Sequence, residues 1–426
     1  MIVNKEIGAR SSVMDEQPTN SLWRNRDFVL LWSGQAVSTL GTRFSGLALP
    51  LLVLAVTRSP GQAGLIGALS FLPYLVFGLP AGALVDRWDR KRIMALCDLA
   101  RCVAFGSVPL AVALGRLTLP QLYVVAFVDG TSFVLFNAAQ VAALPQVVQR
   151  GHLPRATAWN ETAGTAATLV GPGLSGAIIG LARTTVIGAA LAYLLDSLSY
   201  LVSALSLILI HMPFQAARDG EAGNAAARRS LRAEIGEGVC FLWGHLQLRL
   251  IAVLSTAITL CESPLYLAII LLAGRELQAG APTIGLIVSA AGLGGLAGAL
   301  LAPHLVGRLR VGHALIGLVA VKALALPLVA LATSPAMLAL GAAIVVATGP
   351  VYNVTQLPYR LALIPDHLQG RVNSVFRLLS YGGVSLGTAG GGLLLGSIGP
   401  RVECWLMAGG LGLAALSASA TALRRI

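Results

Sequence analysis

The chain has 426 residues, of which 56% are hydrophobic and only 11% charged, with a mean hydropathy of +0.78. Soluble domains carry about a quarter charged residues, so a soluble globular protein is excluded. The net charge of +12 reads as topogenic charge in loops on one membrane face, not as a nucleic-acid surface, and no nucleic-acid partner is expected.

Residues 1–27 form a polar tail ending in Leu22-Trp23-Arg24-Asn25-Arg26-Asp27. It lacks the apolar core of a signal peptide, so no cleavage is expected and the N-terminus is expected to stay inside. Twelve apolar segments follow, at about 28–56, 62–85, 93–115, 121–144, 157–182, 185–210, 249–273, 282–305, 313–333, 336–360, 372–396 and 401–423. A spanning helix needs about 20 apolar residues, and only helices satisfy their own backbone in lipid, so each segment predicts one membrane-spanning helix. The 48 glycines suit helices that approach closely in lipid. The five cysteines, Cys97, Cys102, Cys240, Cys261 and Cys404, have no C-x-x-C spacing and imply neither a disulfide framework nor a metal site.

The one long interruption, 211–248, carries Arg218, Asp219, Glu221, Arg228, Arg229, Arg232, Glu234 and Glu237. It divides the chain into an N-terminal half, 28–210, and a C-terminal half, 249–426, each of six helices. With the N-terminus inside, about nineteen of the 30 Lys and Arg fall on the inner face and about five in outer loops, the bias that topogenic charge produces. Both termini are therefore expected in the cytoplasm, with the chain in the inner or plasma membrane. The halves echo one another at an offset of about 220 residues, in Leu22-Trp23 and Leu242-Trp243, in Gly82 and Gly298 at the expected ends of the second and eighth helices, and in His152-Leu153 and His367-Leu368. Such duplication places a binding site between the halves near mid-membrane.

A knot of charge joins the second and third segments: Gly82-Ala83-Leu84-Val85-Asp86-Arg87-Trp88-Asp89-Arg90-Lys91. It resembles the signature of the major facilitator superfamily between helices 2 and 3, with Asp89 where a glycine usually precedes the basic pair. In the fifth segment, Ala158, Ala167, Gly171-Pro172 and Ser175-Gly176 resemble the antiporter motif of drug:proton exchangers, with small residues replacing some glycines. Arg24-Asn25-Arg26-Asp27-Phe28 and Tyr193-Leu194-Leu195-Asp196-Ser197-Leu198-Ser199-Tyr200 look like the branch containing macrolide-efflux and enterobactin-export proteins. The resemblance implies an all-α membrane fold of two pseudo-symmetric six-helix bundles. It also implies a conformational gate at Gly82, Asp86, Arg87, Arg90 and Lys91, and a central cavity lined by helices 1, 4, 7 and 10.

Those four segments do carry polar stripes at helical spacing. The first has Gln35, Thr39, Thr42 and Gly46 with Arg43 adjoining, and the fourth has Asp129, Phe133, Asn137 and Gln140. The seventh has Ser255, Thr259, Glu262 and Tyr266, and the tenth has Thr348, Tyr352, Thr355, Gln356 and Tyr359. Plain helix–helix hydrogen bonding would produce the same stripes. Charges at mid-membrane cost about 2.5–3.5 kcal/mol each on insertion scales. Arg43, Asp129 and Glu262 lie within about 5 Å of one another in depth, so Arg43 is expected to pair with Glu262 or Asp129, one carboxylate exchanging a proton during transport. The alternative is a static ion pair locking the halves. Their sum of about minus one would favour neutral or cationic substrates.

Asp196 and Lys322 are expected to be structural, Lys322 by snorkelling. Asp98 and Arg101 are expected to form a local ion pair, and Arg371 and Arg377 to contact the Asp86 region. Gly171-Pro172 is expected to be a rigid bend in the cavity wall. There is no G-x-x-x-x-G-K-[ST] loop and no catalytic cluster, so neither ATP hydrolysis nor enzymatic activity is expected, nor any cofactor or metal. The chain reads as a monomeric, proton-coupled exporter of small lipophilic molecules working by alternating access. The other readings are an exporter of siderophores or other metabolites, and a non-transporting receptor or scaffold on the same fold.

Overall fold

The computed structural model describes residues 22–78, 80–212, 214, 231–306 and 310–425, leaving out the side chains of Ala83, Asp86, Arg150, residues 231–235, Val306 and Arg425. Most of the N-terminal tail and of the expected linker lies outside these residues. Among the described residues, twelve helices are long and apolar enough to cross a membrane. Spans 1 to 6 are Arg26–Thr57, Pro60–Phe77, Arg90–Ala113, Leu119–Val147, Leu153–Leu181 and Thr185–Leu209. Spans 7 to 12 are Leu246–Glu276, Ala281–Val306, Val311–Ala330, Pro335–Leu363, Asp366–Ile398 and Pro400–Ala420. Span 11 starts ahead of its apolar segment, at Asp366, because the helix begins directly after Pro365.

Two spans are broken where the sequence predicts continuous helices. Span 2 stops at Phe77, and Pro80, which lacks an N–H, opens a separate short helix, Pro80–Arg87. Gly298, by contrast, lies inside an unbroken span 8, so the expected matching helix ends at Gly82 and Gly298 do not exist. Span 7 is interrupted after Glu262, where Ser263 and Pro264 separate Leu246–Glu262 from Leu265–Leu271; a π-helical turn, Leu272–Glu276, follows.

Within the first half, span 1 packs on spans 5 and 6, and span 3 on spans 4 and 6. In the second half, span 8 packs on span 10, and span 12 on spans 7 and 9. The halves meet along two seams, span 2 on span 11 and span 5 on span 8. Both seams depend on glycine. A Cβ on Gly64 would lie 2.6 Å from Gly392 Cα, and one on Gly176 would lie 2.5 Å from the Ala281 carbonyl oxygen, so only hydrogen fits at either point. These contacts fall on the parts of the helices far from the chain termini. There Arg275 Nη2 also donates to the Arg58 carbonyl of the other half at 3.0 Å. The halves are therefore held together at the end away from the termini, beside a cleft of about 430 Å³ lined by Leu54, Arg58, Arg275 and Ile284 among others.

Span 11 lies between spans 2 and 7. Towards span 7 it presents Gly383, Gly387 and Gly391, each meeting Thr259, Leu260 with Ser263, and Pro264 respectively. Towards span 2 it presents Ser385, whose hydroxyl donates to the Ala68 carbonyl at 3.0 Å, then Thr388 and Gly392.

At the termini end, the basic pair after the short helix holds helix ends together. Arg90 Nη1 donates to the Ala142 carbonyl at 3.1 Å and the Phe214 carbonyl at 3.4 Å. Lys91 Nζ donates to the Ile208 and Ile210 carbonyls at 3.2 and 2.5 Å. The two carbonyls that Lys91 meets lie at the C-terminal end of span 6, where they have no intrahelical donor. Arg90 and Lys91 thus tie spans 4 and 6 within the first half. Arg87 and Gly82 are exposed, and the side chain of Asp86 lies outside the described residues.

Candidate functional site

A cavity of about 470 Å³ lies between the halves. Spans 1, 2, 4, 7 and 11 form most of its wall, through residues that include Thr42, Gly46, Phe71, Asp129, Glu262, Tyr266 and Thr388, with Phe105 and Tyr193 reaching in from spans 3 and 6. Span 10 contributes no lining residue, so the expected wall of helices 1, 4, 7 and 10 is corrected to one in which spans 2 and 11 replace span 10. The tenth span is drawn aside by its own hydrogen bonds. Tyr352 and Ser255 share a hydroxyl–hydroxyl bond of 3.0 Å, and Tyr359 OH donates to Gln247 Oε1 at 3.0 Å, fastening span 10 to span 7. Gln356 is buried at 6% exposure. Spans 1 and 4 are joined in the same way, Gln140 Nε2 donating to Gln35 Oε1 at 2.5 Å. Much of the polar stripe therefore serves helix–helix bonding within each half.

Two carboxylates face the cavity from opposite halves, and each is held by a cation from behind. Arg101, 6% exposed, places Nε 3.1 Å from Asp129 Oδ1 and donates from Nη2 to the Asp129 carbonyl at 3.2 Å. Lys322, 4% exposed, donates from Nζ to Glu262 Oε2. The carboxylate side chains keep 26% and 27% of their surface open. A buried cation needs such a partner, because an isolated charge in hydrocarbon is strongly disfavoured.

These pairs overturn the expected partners of Arg43. Thr42 lines the cavity and bonds Tyr200 OH at 2.9 Å, so Arg43, one residue or about 100° further round the helix, faces span 5. There it packs on Gly171, which has no side chain to obstruct it. Arg43 has no ion pair among the described residues. The expected Asp98–Arg101 pair is likewise replaced by Arg101–Asp129. Lys322 is corrected from a snorkelling side chain to the partner of Glu262, being too central and too enclosed to reach a membrane surface. Asp196 is fully buried beside Gly41, its Oδ1 accepting from Ser199 at 3.2 Å.

The fifth-span motif lies at helix contacts. Ser175 Oγ donates to the Phe44 carbonyl at 2.8 Å, tying span 5 to span 1. Pro172 leaves the neighbouring backbone to bond elsewhere, and Gly173 N–H donates to Ser289 Oγ of span 8 at 3.0 Å. Gly171 and Gly176 permit close approach to spans 1 and 8. Pro172 shapes the seam between halves and is not a lining residue of the cavity, which corrects the expected bend in its wall.

A second, smaller cleft of about 180 Å³ opens between the halves on the termini side, lined by Tyr74, Gly78, Asn137, Ser374 and Arg377 among others. Arg377 lines this cleft together with Gly78 and Ala81, while Arg371 is joined to Glu237; the side chain of Asp86, their expected contact, lies outside the described residues. Sequence reasoning missed the parts played by Arg101 and Lys322 and the aromatic residues Phe71, Tyr74 and Tyr381. The offset of about 220 residues was the available signal for the first two, since it relates Arg101 on span 3 to Lys322 on span 9. No group of three or more metal-ligating side chains occurs among the described residues.

Comparison with known proteins agrees with this architecture. The sequence profile of a family described as transmembrane secretion effector matches residues 19–425. Macrolide efflux protein A of Streptococcus pyogenes is 25% identical over 186 residues, 44% of this chain and 45% of that protein, so the matched stretch spans less than half of that relative. Multidrug efflux pump Tap of Mycobacterium tuberculosis is 26% identical over 375 residues, 85% of each chain. Among solved structures, the nucleoside transporter NupG superposes with a TM-score of 0.71 at 12% identity, covering 92% of this chain and 98% of that one. A bacterial homologue of the iron transporter ferroportin, in an inward-facing state, gives 0.69 at 17% identity, covering 94% and 98%.

Proposed function

The chain belongs to the transmembrane secretion effector family, in the drug-efflux branch of the major facilitator superfamily, and from that premise we propose that it is a proton-coupled exporter of small lipophilic molecules. It is a multi-pass membrane transporter and not an enzyme. The finer reading is supported by the two cavity carboxylates, Asp129 and Glu262, each partly open to the cavity and each backed by a buried cation. A carboxylate so placed exchanges its cation partner for a proton when the surroundings change, which is the elementary step of proton coupling.

With both termini in the cytoplasm of a plasma-membrane protein, the end joined by the glycine seams faces outward and the cleft of Tyr74 and Arg377 faces inward. Substrate enters from the cytoplasm, the halves rock about the two glycine seams, and release follows on the far side, a monomer sufficing for the cycle. Arg101 and Lys322 neutralise the two carboxylates, so the net negative charge expected from Arg43, Asp129 and Glu262 alone is absent. Neutral lipophilic molecules are therefore the favoured cargo, resting on the rings of Phe71, Phe105 and Tyr266.

The test is a transport screen in inverted vesicles with and without an imposed pH gradient. Lipophilic drugs should accumulate only with the gradient, and Asp129→Asn or Glu262→Gln should lower that accumulation at least tenfold. Gradient-driven export that survives in both variants would refute the coupling.

A further inference from the structure

The central cavity and the termini-side cleft are separated by one layer of side chains, and three spans cross that layer in the same order. On span 2, Phe71 lines the cavity and Tyr74 the cleft. On span 4, Asp129 lines the cavity and Val134 the cleft; on span 11, Val384 lines the cavity and Leu378 the cleft. Between these levels the rings of Tyr74 and Tyr381, one from each half, stack with centroids 3.7 Å apart and planes inclined by 19°. Phe133 lies 5.8 Å from Tyr74, and Phe71 lies 6.4 Å from Tyr381. The halves are thus bridged by rings at the boundary between the two spaces.

Arg101 joins this layer to the cavity. Its guanidinium carbon lies 5.7 Å from the centre of the Phe133 ring and 5.2 Å from that of Tyr200, while its Nε faces Asp129. Asp129 and Phe133 are four residues apart on one helix, so they share a face and one guanidinium can touch both. A planar guanidinium does this where an ammonium does not, because it presents N–H groups in its plane and a flat face to a ring.

We propose that Tyr74, Phe133 and Tyr381 form a septum through which substrate passes from cleft to cavity, and that Arg101 is the positioning residue that couples this septum to the state of Asp129. The proposal rests on the exporter reading above. When a proton or a substrate group takes the Asp129 carboxylate, Arg101 keeps its charge and loses its counter-ion. Its remaining neighbours are the ring faces of Phe133 and Tyr200, a backbone carbonyl and, further off, the buried carboxyl groups of Asp98 and Asp196, so its balance between these and Phe133 changes and the packing of Phe133 on Tyr74 changes with it. Occupancy of the cavity is thereby communicated to the passage on the termini side.

The experiment measures passage directly and needs neither substrate nor gradient. In the full chain, with its five native cysteines replaced, Ser70→Cys supplies one thiol in the cavity wall. A bulky membrane-impermeant maleimide is applied to inverted vesicles whose orientation is verified by a terminal tag. Tyr381→Ala should raise the labelling rate at least tenfold, and Tyr381→Phe, which keeps the ring, should leave it within twofold of the parent. Asp129→Asn should raise labelling several-fold in the parent but add nothing in a Phe133→Ala background. Arg101→Lys, which keeps the charge without the flat face, should behave like Phe133→Ala. All variants are compared only where the thermal midpoint in detergent matches the parent, with Tyr381→Leu as the substitute if Tyr381→Ala fails to fold. Unchanged labelling in Tyr381→Ala, or independent multiplying effects of Asp129→Asn and Phe133→Ala, would overturn the septum and its coupling even if gradient-driven export is intact. Loss of export with the labelling pattern as expected would instead refute the exporter reading alone.

Discussion

Arg101 and Lys322 occupy corresponding places in the two halves, about 220 residues apart on spans 3 and 9, and each holds a carboxylate that faces the cavity. The carboxylates themselves do not correspond: Asp129 is on span 4, the neighbour of span 3, whereas Glu262 is on span 7, the first span of its half. The duplicated frame has kept the cation and moved its partner. The two pairs also differ in kind, because a guanidinium presents a planar fork of N–H donors whereas an ammonium is a compact point charge.

Removing one partner of the second pair should cost stability as well as activity. Lys322→Met leaves Glu262 without its cation and should destabilise the chain by about 1–2 kcal/mol, less than for a wholly buried pair because Glu262 is partly open. Lys322→Met combined with Glu262→Gln should recover most of the thermal midpoint in detergent while export stays lost. Recovery of export in the double variant would show the pair to be a static clamp.

The seam between spans 2 and 11 should be intolerant of any added side chain. Gly392→Val places a branched group where the Gly64 backbone already lies, and overpacking of this kind costs about 1–3 kcal/mol. A lowered thermal midpoint with reduced export is expected. Gly409→Val, at a position with open space around it, is the control and should change neither.

Lys91→Ala removes two carbonyl contacts at the end of span 6 and should destabilise the first half by about 1 kcal/mol. Substrate binding, measured by fluorescence quenching in detergent, should be unaffected. Asp86→Asn should impair turnover more than binding, as expected of a residue in the conformational gate; normal turnover with weakened binding would contradict that.

The twelve spans were legible because about 20 apolar residues in a row have no other use in lipid, and because charged or proline-bearing turns interrupt them. Depth was legible too, since rise per residue is fixed: Asp129 and Glu262 do face one cavity. Direction around the helix was not. Arg43 has a suitable depth, yet the missing side chain of Gly171 lets it pack against span 5, a contact that follows from a neighbour more than 120 residues away. Lys322 was misjudged for a related reason. Its position near the middle of span 9 already argued against reaching a membrane surface, but its partner is set by the break of span 7 beside Pro264, which a hydropathy pattern does not register. The aromatic layer escaped notice because Tyr74 and Tyr381 come from opposite halves and neither belongs to a motif.

Span 11 touches span 7 through glycine, with Gly383, Gly387 and Gly391 on one face. Interlocked side chains would have to leave one set of rotamers and find another whenever the helices shifted. A surface without side chains has no such teeth. On that face span 11 is a smooth bearing within the second half, able to shift along span 7 with few rotamers to reset, while Ser385 and Thr388 on its other face keep it engaged with span 2 of the first half.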